Sequence, residues 1–196
     1  MGAAGVVSRP AITRRLIPLP AKRRRETVAY AQRHYGLRTD VVQPHVIVEH
    51  FTENDSVDAT WNTFAPDVPD LELHELPATC SQFVIAKSGR IVQLTPITFM
   101  CRHTVGLNWA AIGIEHVGFS DSDVLNNPAE LNASLRLTRY LRCTYRIPVR
   151  DVIGHAESLT SPFHRDRVAA LQTQTHSDFP TADMNRYRAM VRKQPC

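Results

Sequence analysis

Ala110-Ala111-Ile112-Gly113-Ile114-Glu115-His116-Val117 is apolar along most of its length. A run of that kind reads as a strand covered on both faces, and so as a strand in the middle of a sheet. Glu115 is the anomaly within it, because a carboxylate in an apolar strand loses hydration and needs a compensating role.

The segments around this strand alternate between β and α patterns. Val46-Ile47-Val48-Glu49-His50 follows Pro44 and is β-branched, and alternation puts Val46, Val48 and His50 on one face. His50 is therefore displayed at a sheet edge or cleft. Gln82 to Ala86 and Arg90 to Leu94 read as a hairpin across Lys87-Ser88-Gly89, with glycine supplying the positive φ of a tight turn. Ser56 caps a helix carrying Val57, Trp61 and Phe64 at i, i+4 and i+7, which Pro66 and Pro69 end in a loop. Asn127-Pro128-Ala129-Glu130 starts a helix that runs to about Tyr145, with Leu131, Leu135, Tyr140 or Leu141, and Cys143 on its buried stripe. A last helix from about Ala182 buries Met184, Tyr187 and Val191. Near the other end, Arg24 to Gly36 is helical through Val28, Ala31 and Tyr35. Residues 1–22, with Pro10, Pro18 and Pro20, read as an extended arm outside the core. The expected class is α/β: a single mixed central sheet flanked by helices, forming one domain over residues 23–196 with the 24–36 helix packed on it.

The chain of 196 residues is 43% hydrophobic and 21% charged, too apolar for a disordered segment. No stretch approaches the roughly 18 apolar residues of a membrane-spanning helix. Lys plus Arg exceed Asp plus Glu by 23 to 19, with much of the excess at Arg14, Arg15 and Lys22 to Arg25. That balance permits loose attraction to an anionic surface and does not establish nucleic-acid binding. Cys80, Cys101, Cys143 and Cys196 form no C-x-x-C pair, which argues against a cysteine-built zinc site. A Cys80–Cys101 bridge and separate buried thiols both remain open. Met1 to Gly5 lacks the basic and apolar regions of a secretory signal, so either export does not use one or it has been removed.

There are nine histidines, and position separates them. His50 ends a strand, His155 follows Val152-Ile153-Gly154, and His176 stands two residues before Asp178. Two imidazoles and a carboxylate make a three-ligand set for a catalytic zinc with an open fourth position, although the spacing alone does not force it. His34, His45, His74 and His164 read as structural or solvated, and His116 points away from Glu115 on a regular strand. Other motifs fail. His45 to His50 has one residue too many for H-x-x-E-H, and His155-Ala156-Glu157 lacks the P-C-x-x-C of nucleobase deaminases.

Six blocks in order resemble one family: Val46 to Thr52, Ser88 to Leu94, Cys101 to Gly106, Ile112 to Glu115, Val152 to His155 and His176 to Asp178. Together they resemble the zinc-dependent N-acetylmuramoyl-L-alanine amidases, the amidase_2 group related to peptidoglycan recognition proteins, over residues 45–180. Arg9 to Gly36 is similar to the N-terminal extension of an actinobacterial or phage-borne subset. The resemblance implies one zinc ion on His50, His155 and Asp178, with Glu115 as general base. It makes His176, at a position where many relatives have lysine, the group that assists the developing oxyanion, and His103 a substrate-binding residue. Peptidoglycan or a muropeptide is then the substrate, acted on by a monomer at an extracellular or cell-envelope location, or by a phage lysin released at host lysis. Two other functions stay open: a peptidoglycan-binding module without hydrolysis, and a zinc amidase acting on another small amide.

Overall fold

The computed structural model describes residues 7–196. Its strands are β1 (Ile12–Arg14), β2 (Val46–Phe51), β3 (Phe83–Ile85), β4 (Ile91–Gln93), β5 (Ala111–His116) and β6 (Val152–Gly154). Its helices are α1 (Ala21–Tyr35), α2 (Val57–Phe64), α3 (Asp121–Leu125), α4 (Pro128–Tyr145) and α5 (Thr181–Arg192). The strands form one sheet in the order β1-β4-β3-β5-β2-β6. Only the β3–β4 hairpin pairs antiparallel, so the sheet is mixed, and β5 lies inside it between β3 and β2.

Alternation along the strands sends successive side chains to opposite layers. Phe83, Ile85 and Ile91 join Ile47, Ile112 and Ile114 beneath α4 and α5, where Leu137, Leu141, Met184 and Tyr187 meet them. Val84 and Val92 point the other way and pack with Val57 and Trp61 of α2. Tyr30, Ala31 and Tyr35 of α1 pack on Met100. Both faces of the sheet are thus covered, and the apolar character of β5 follows from that.

Several local signals act as the sequence implies. Ser56 Oγ accepts the Ala59 N–H, and Asn127 Oδ1 accepts from Ala129 and Glu130. Gly36 closes α1 in the left-handed region at φ 73°. The expected arm is a different matter. Its first six residues lie outside the described part, but Ile12–Arg14 adds a strand to the sheet edge beside β4, and Ile17 is buried against Cys80 and Phe99. The prolines flank this short strand without interrupting it, since an edge position leaves one side of the backbone unpaired. Helix α1 begins at Ala21, three residues before the expected start.

All four cysteines are paired, as Cys80–Cys101 and Cys143–Cys196. They close separations of 21 and 53 residues, so loop-closure entropy alone is worth about 3 and 4 kcal/mol.

Candidate active site

The site lies at the carboxyl ends of β2, β5 and β6. In the parallel β2–β5 pair His50 is in register with Glu115, so the two side chains share a face. His155 is the first residue after β6, and Asp178 belongs to the loop before α5.

Close backbone contacts bring these last two segments together. A Cβ at Gly154 would fall 1.9 Å from the Phe179 carbonyl oxygen, so only glycine fits next to His155. The Ala156 N–H donates to the Asp178 carbonyl at 2.9 Å, and Thr175 Oγ1 donates to the His155 carbonyl at 2.9 Å. Phe179 sits at φ 53°, with its N–H held by Asp121 Oδ1 at 2.6 Å. A non-glycine residue in that region carries strain, and here it turns the chain immediately after Asp178.

His50 Nδ1 is 3.0 Å from Asp178 Oδ2 and 3.2 Å from His155 Nδ1, while His155 Nδ1 is 3.5 Å from Asp178 Oδ1. Zinc bonds of about 2.0–2.1 Å at tetrahedral angles set two ligand atoms about 3.3 Å apart. The donor types and all three edges therefore fit a zinc ion. Burial depresses the His50 pKa to about 3 and holds His155 well below its usual value, so both rings are neutral with a lone pair free. Asp178 is raised by the same burial, against the opposing pull of His155. Behind the triangle, His50 Nε2 meets His103 Nδ1 at 3.1 Å and Thr104 Oγ1 at 3.3 Å, the kind of outer contact that fixes a ligating ring.

Glu115 is buried on the same floor, and its carboxylate makes no hydrogen bond among the described residues. Desolvation pushes its pKa well above the carboxylate range, and the Asp178 charge adds to the effect. Arg102, the cation that lines the same groove, does not neutralise it and donates to Asp70 and to the Glu75 carbonyl. His176 is half exposed at the rim, tilted over the His155 ring at 4.7 Å, with Nε2 3.1 Å from Glu72 Oε2. His103 lines the groove edge-on to His50, its ring filling the space beside Gly113. All six residues singled out from the sequence thus border one groove of about 340 Å³. Thr52, Asn54 and Thr60 contribute polar atoms to its sides.

Sequence reading missed three supports. Thr104 backs His50, Glu72 holds His176, and Arg188 forks onto Glu157 to anchor the turn that follows His155. Thr104 falls within the Cys101 to Gly106 block and Glu157 within the failing H-x-E motif, but neither position declares the contact it makes. The remaining histidines are structural or solvated: His34 is buried between Asp166 at 2.8 Å and Glu75 at 3.1 Å, His45 stacks on Phe163, and His74 is exposed.

A family model described as N-acetylmuramoyl-L-alanine amidase, Amidase_2, matches residues 28–186. The chain belongs to that family. Membership makes it an N-acetylmuramoyl-L-alanine amidase, an enzyme of peptidoglycan degradation. Among solved structures it is similar to the endolysin N-acetylmuramoyl-L-alanine amidase LysCS from Clostridium intestinale, at 20% identity and a TM-score of 0.56, over 92% of this chain and 96% of that one. It is similar to PlyL at 15% identity and a TM-score of 0.57, over 95% and 98% of the two chains. A mutant endolysin from Bacillus subtilis aligns at 18% identity and a TM-score of 0.53, over 92% and 98%. A search of curated protein sequences returned no match. At these identities the structural likeness speaks for the amidase fold, and the family match carries the assignment.

Proposed function

We propose that this amidase hydrolyses the bond between the lactyl group of N-acetylmuramic acid and L-alanine, with one zinc ion held by His50, His155 and Asp178. The observation that carries the reading is a closed triangle of neutral imidazoles and a carboxylate with an uncommitted buried acid on the same floor. When bound there, zinc supplies Lewis acidity that polarises a carbonyl and lowers the pKa of water toward neutrality.

The chain's own groups do the rest. Glu115 accepts the proton of the attacking water and passes it to the departing alanine nitrogen, so that the C–N bond breaks to a neutral amine. An apolar surround makes this carboxylate a stronger base than a solvated one. His176 donates a hydrogen bond to the carbonyl oxygen as negative charge develops, with Glu72 and the His155 ring holding it at the rim. His103 braces His50 and offers its edge to the substrate. Action as a monomer is part of the same proposal. Two disulfides and a wall substrate support work outside the cytosol, whether by export or by release of a phage lysin at lysis.

The test is digestion of purified muropeptides with mass spectrometry of the products, with and without a chelator. The expected products are free muramic lactyl carboxylates and peptides with new L-alanine amino termini, lost on chelation and recovered with added zinc. Binding of muropeptides without cleavage would instead mark a recognition module, and cleavage of short acyl-amino acids alone would mark a different amide substrate.

A further inference from the structure

Charge is distributed over the fold differently from its distribution along the sequence. The basic residues near the N-terminus are largely neutralised. Arg15 pairs with Asp58, Lys22 with Glu26, Arg24 with Asp40 and Arg33 with Glu75. Arg23 is fully buried and donates to the Phe64 and Ala78 carbonyls.

The C-terminal part is the opposite. From Pro128 to Cys196 there are eleven Lys and Arg against six Asp and Glu, and five of those six acids, all but Asp183, are buried. On α4, Arg136, Arg139, Arg142 and the capping Arg146 follow one another at i, i+3, i+6 and i+10, a stripe about 15 Å long. None of the four has an acidic partner among the described residues. The Cys143–Cys196 bridge lays the C-terminal tail along this stripe, where Arg139 donates to the Pro195 carbonyl at 3.0 Å. That contact brings Arg192 and Lys193, at the end of α5, to the same face. At the far end Arg136 shares a cleft with Arg90, whereas Arg150, in the cleft beside Arg192, is paired with Asp151 at 3.8 Å and closes the band there.

We propose that this continuous cationic band on α4 and the end of α5 is a docking surface for a linear phosphate-bearing polymer of the cell envelope, separate from the catalytic groove. Arginine dominates it, and a planar guanidinium is suited to forked hydrogen bonding with phosphate oxygens. Its shape is a line along a helix, as a flexible polyanion requires. A membrane surface fits less well, because none of the exposed large apolar side chains, Leu16, Val41, Val68, Leu71, Phe119 and Leu159, lies on α4 or α5 to enter a bilayer. The envelope origin of the polymer rests on the amidase reading, whereas the binding surface itself does not. Docking there would keep the enzyme on the wall while the groove works on the peptide.

The experiment uses the zinc-loaded full chain and a soluble glycerol-phosphate polymer freed of lipid. Arg136→Glu with Lys193→Glu should weaken polymer binding about tenfold at low salt, and salt should weaken the wild type progressively. Arg25→Glu with Arg38→Glu changes net charge equally on a different face and should alter binding by less than about twofold. Both pairs should keep wild-type turnover of a short soluble muropeptide. Equal loss in the two pairs would reduce the effect to net charge and overturn the proposal. So would stronger binding to duplex DNA or to anionic vesicles than to the polymer. Polymer binding that follows the band with no muropeptide turnover in any form would sink the amidase reading and leave the surface standing.

Discussion

Two neighbouring strands carry the same dipeptide near their carboxyl ends, Glu49-His50 on β2 and Glu115-His116 on β5, and the fold puts the two copies to different work. Register pairs His50 with Glu115, so the copies are offset by one residue. The offset sends one member of each to the groove, a histidine from β2 and a glutamate from β5, and turns Glu49 and His116 to the helix layer. On the groove side the polar atoms converge on open space. On the helix side they have partners within the protein: His116 Nδ1 donates to the His50 carbonyl at 2.8 Å, and Ser134, Tyr187, Thr138 and Glu49 Oε1 continue the chain of hydrogen bonds, while Glu49 Oε2 lies 3.6 Å from His116 Nε2 without a hydrogen bond. Burial alone therefore does not mark a functional acid or base. Glu49, raised to about 8, and Glu115, also raised, differ in whether the protein has already provided a partner.

Substitutions that exchange the two sides test this contrast. His50→Ala should have the largest effect, removing zinc from the purified protein and reducing turnover to background, as read by metal analysis and muropeptide digestion. Ser134→Ala should act on stability instead. It leaves His116 Nε2 without its partner in the core, at a cost of about 1–3 kcal/mol in urea unfolding, while zinc content is kept. Glu130 gives a pH-dependent effect on the helix side. Its folded pKa is raised to about 7 from 4.5, chiefly by burial, so the folded state holds the proton more tightly than the unfolded chain. Stability from this group is full below about 4.5 and is lost as pH rises toward 7. Glu130→Gln should flatten that part of the stability profile in melts taken from pH 4 to 8. Glu49→Gln should do least, because the amide can still accept from Thr138, and turnover should stay near wild type.

Much of the fold could be read from local patterns because each pattern reports a local cause. The apolar run around Ile112 and Ile114, the Asn127-Pro128 start and the turn at Gly89 all depend on residues close in sequence. The edge strand at Ile12–Arg14 was hidden because three residues bounded by prolines carry no periodicity, and only pairing with β4 defines them. The short helix at Asp121–Leu125 was likewise unmarked, and its Asp121 serves the distant turn at Phe179. For the site, strand ends and family blocks pointed to His50, Glu115, His155 and Asp178. Their supports, Thr104, Glu72 and the Gly154–Phe179 contact, depend on neighbours far away in sequence. Charge pairing is hidden in the sequence for the same reason: Arg15, Lys22, Arg24 and Arg33 meet acidic partners that are distant or a helix turn away, whereas Arg136, Arg139, Arg142 and Arg146 meet none among the described residues.

The central claim is that one groove holds zinc on His50, His155 and Asp178 while Glu115 moves the proton. Glu115→Gln, assayed in parallel for bound zinc and for muropeptide turnover, tests it most directly. The account predicts full zinc occupancy, wild-type stability and turnover reduced about 10²–10⁴-fold. Undiminished turnover at full occupancy would contradict it.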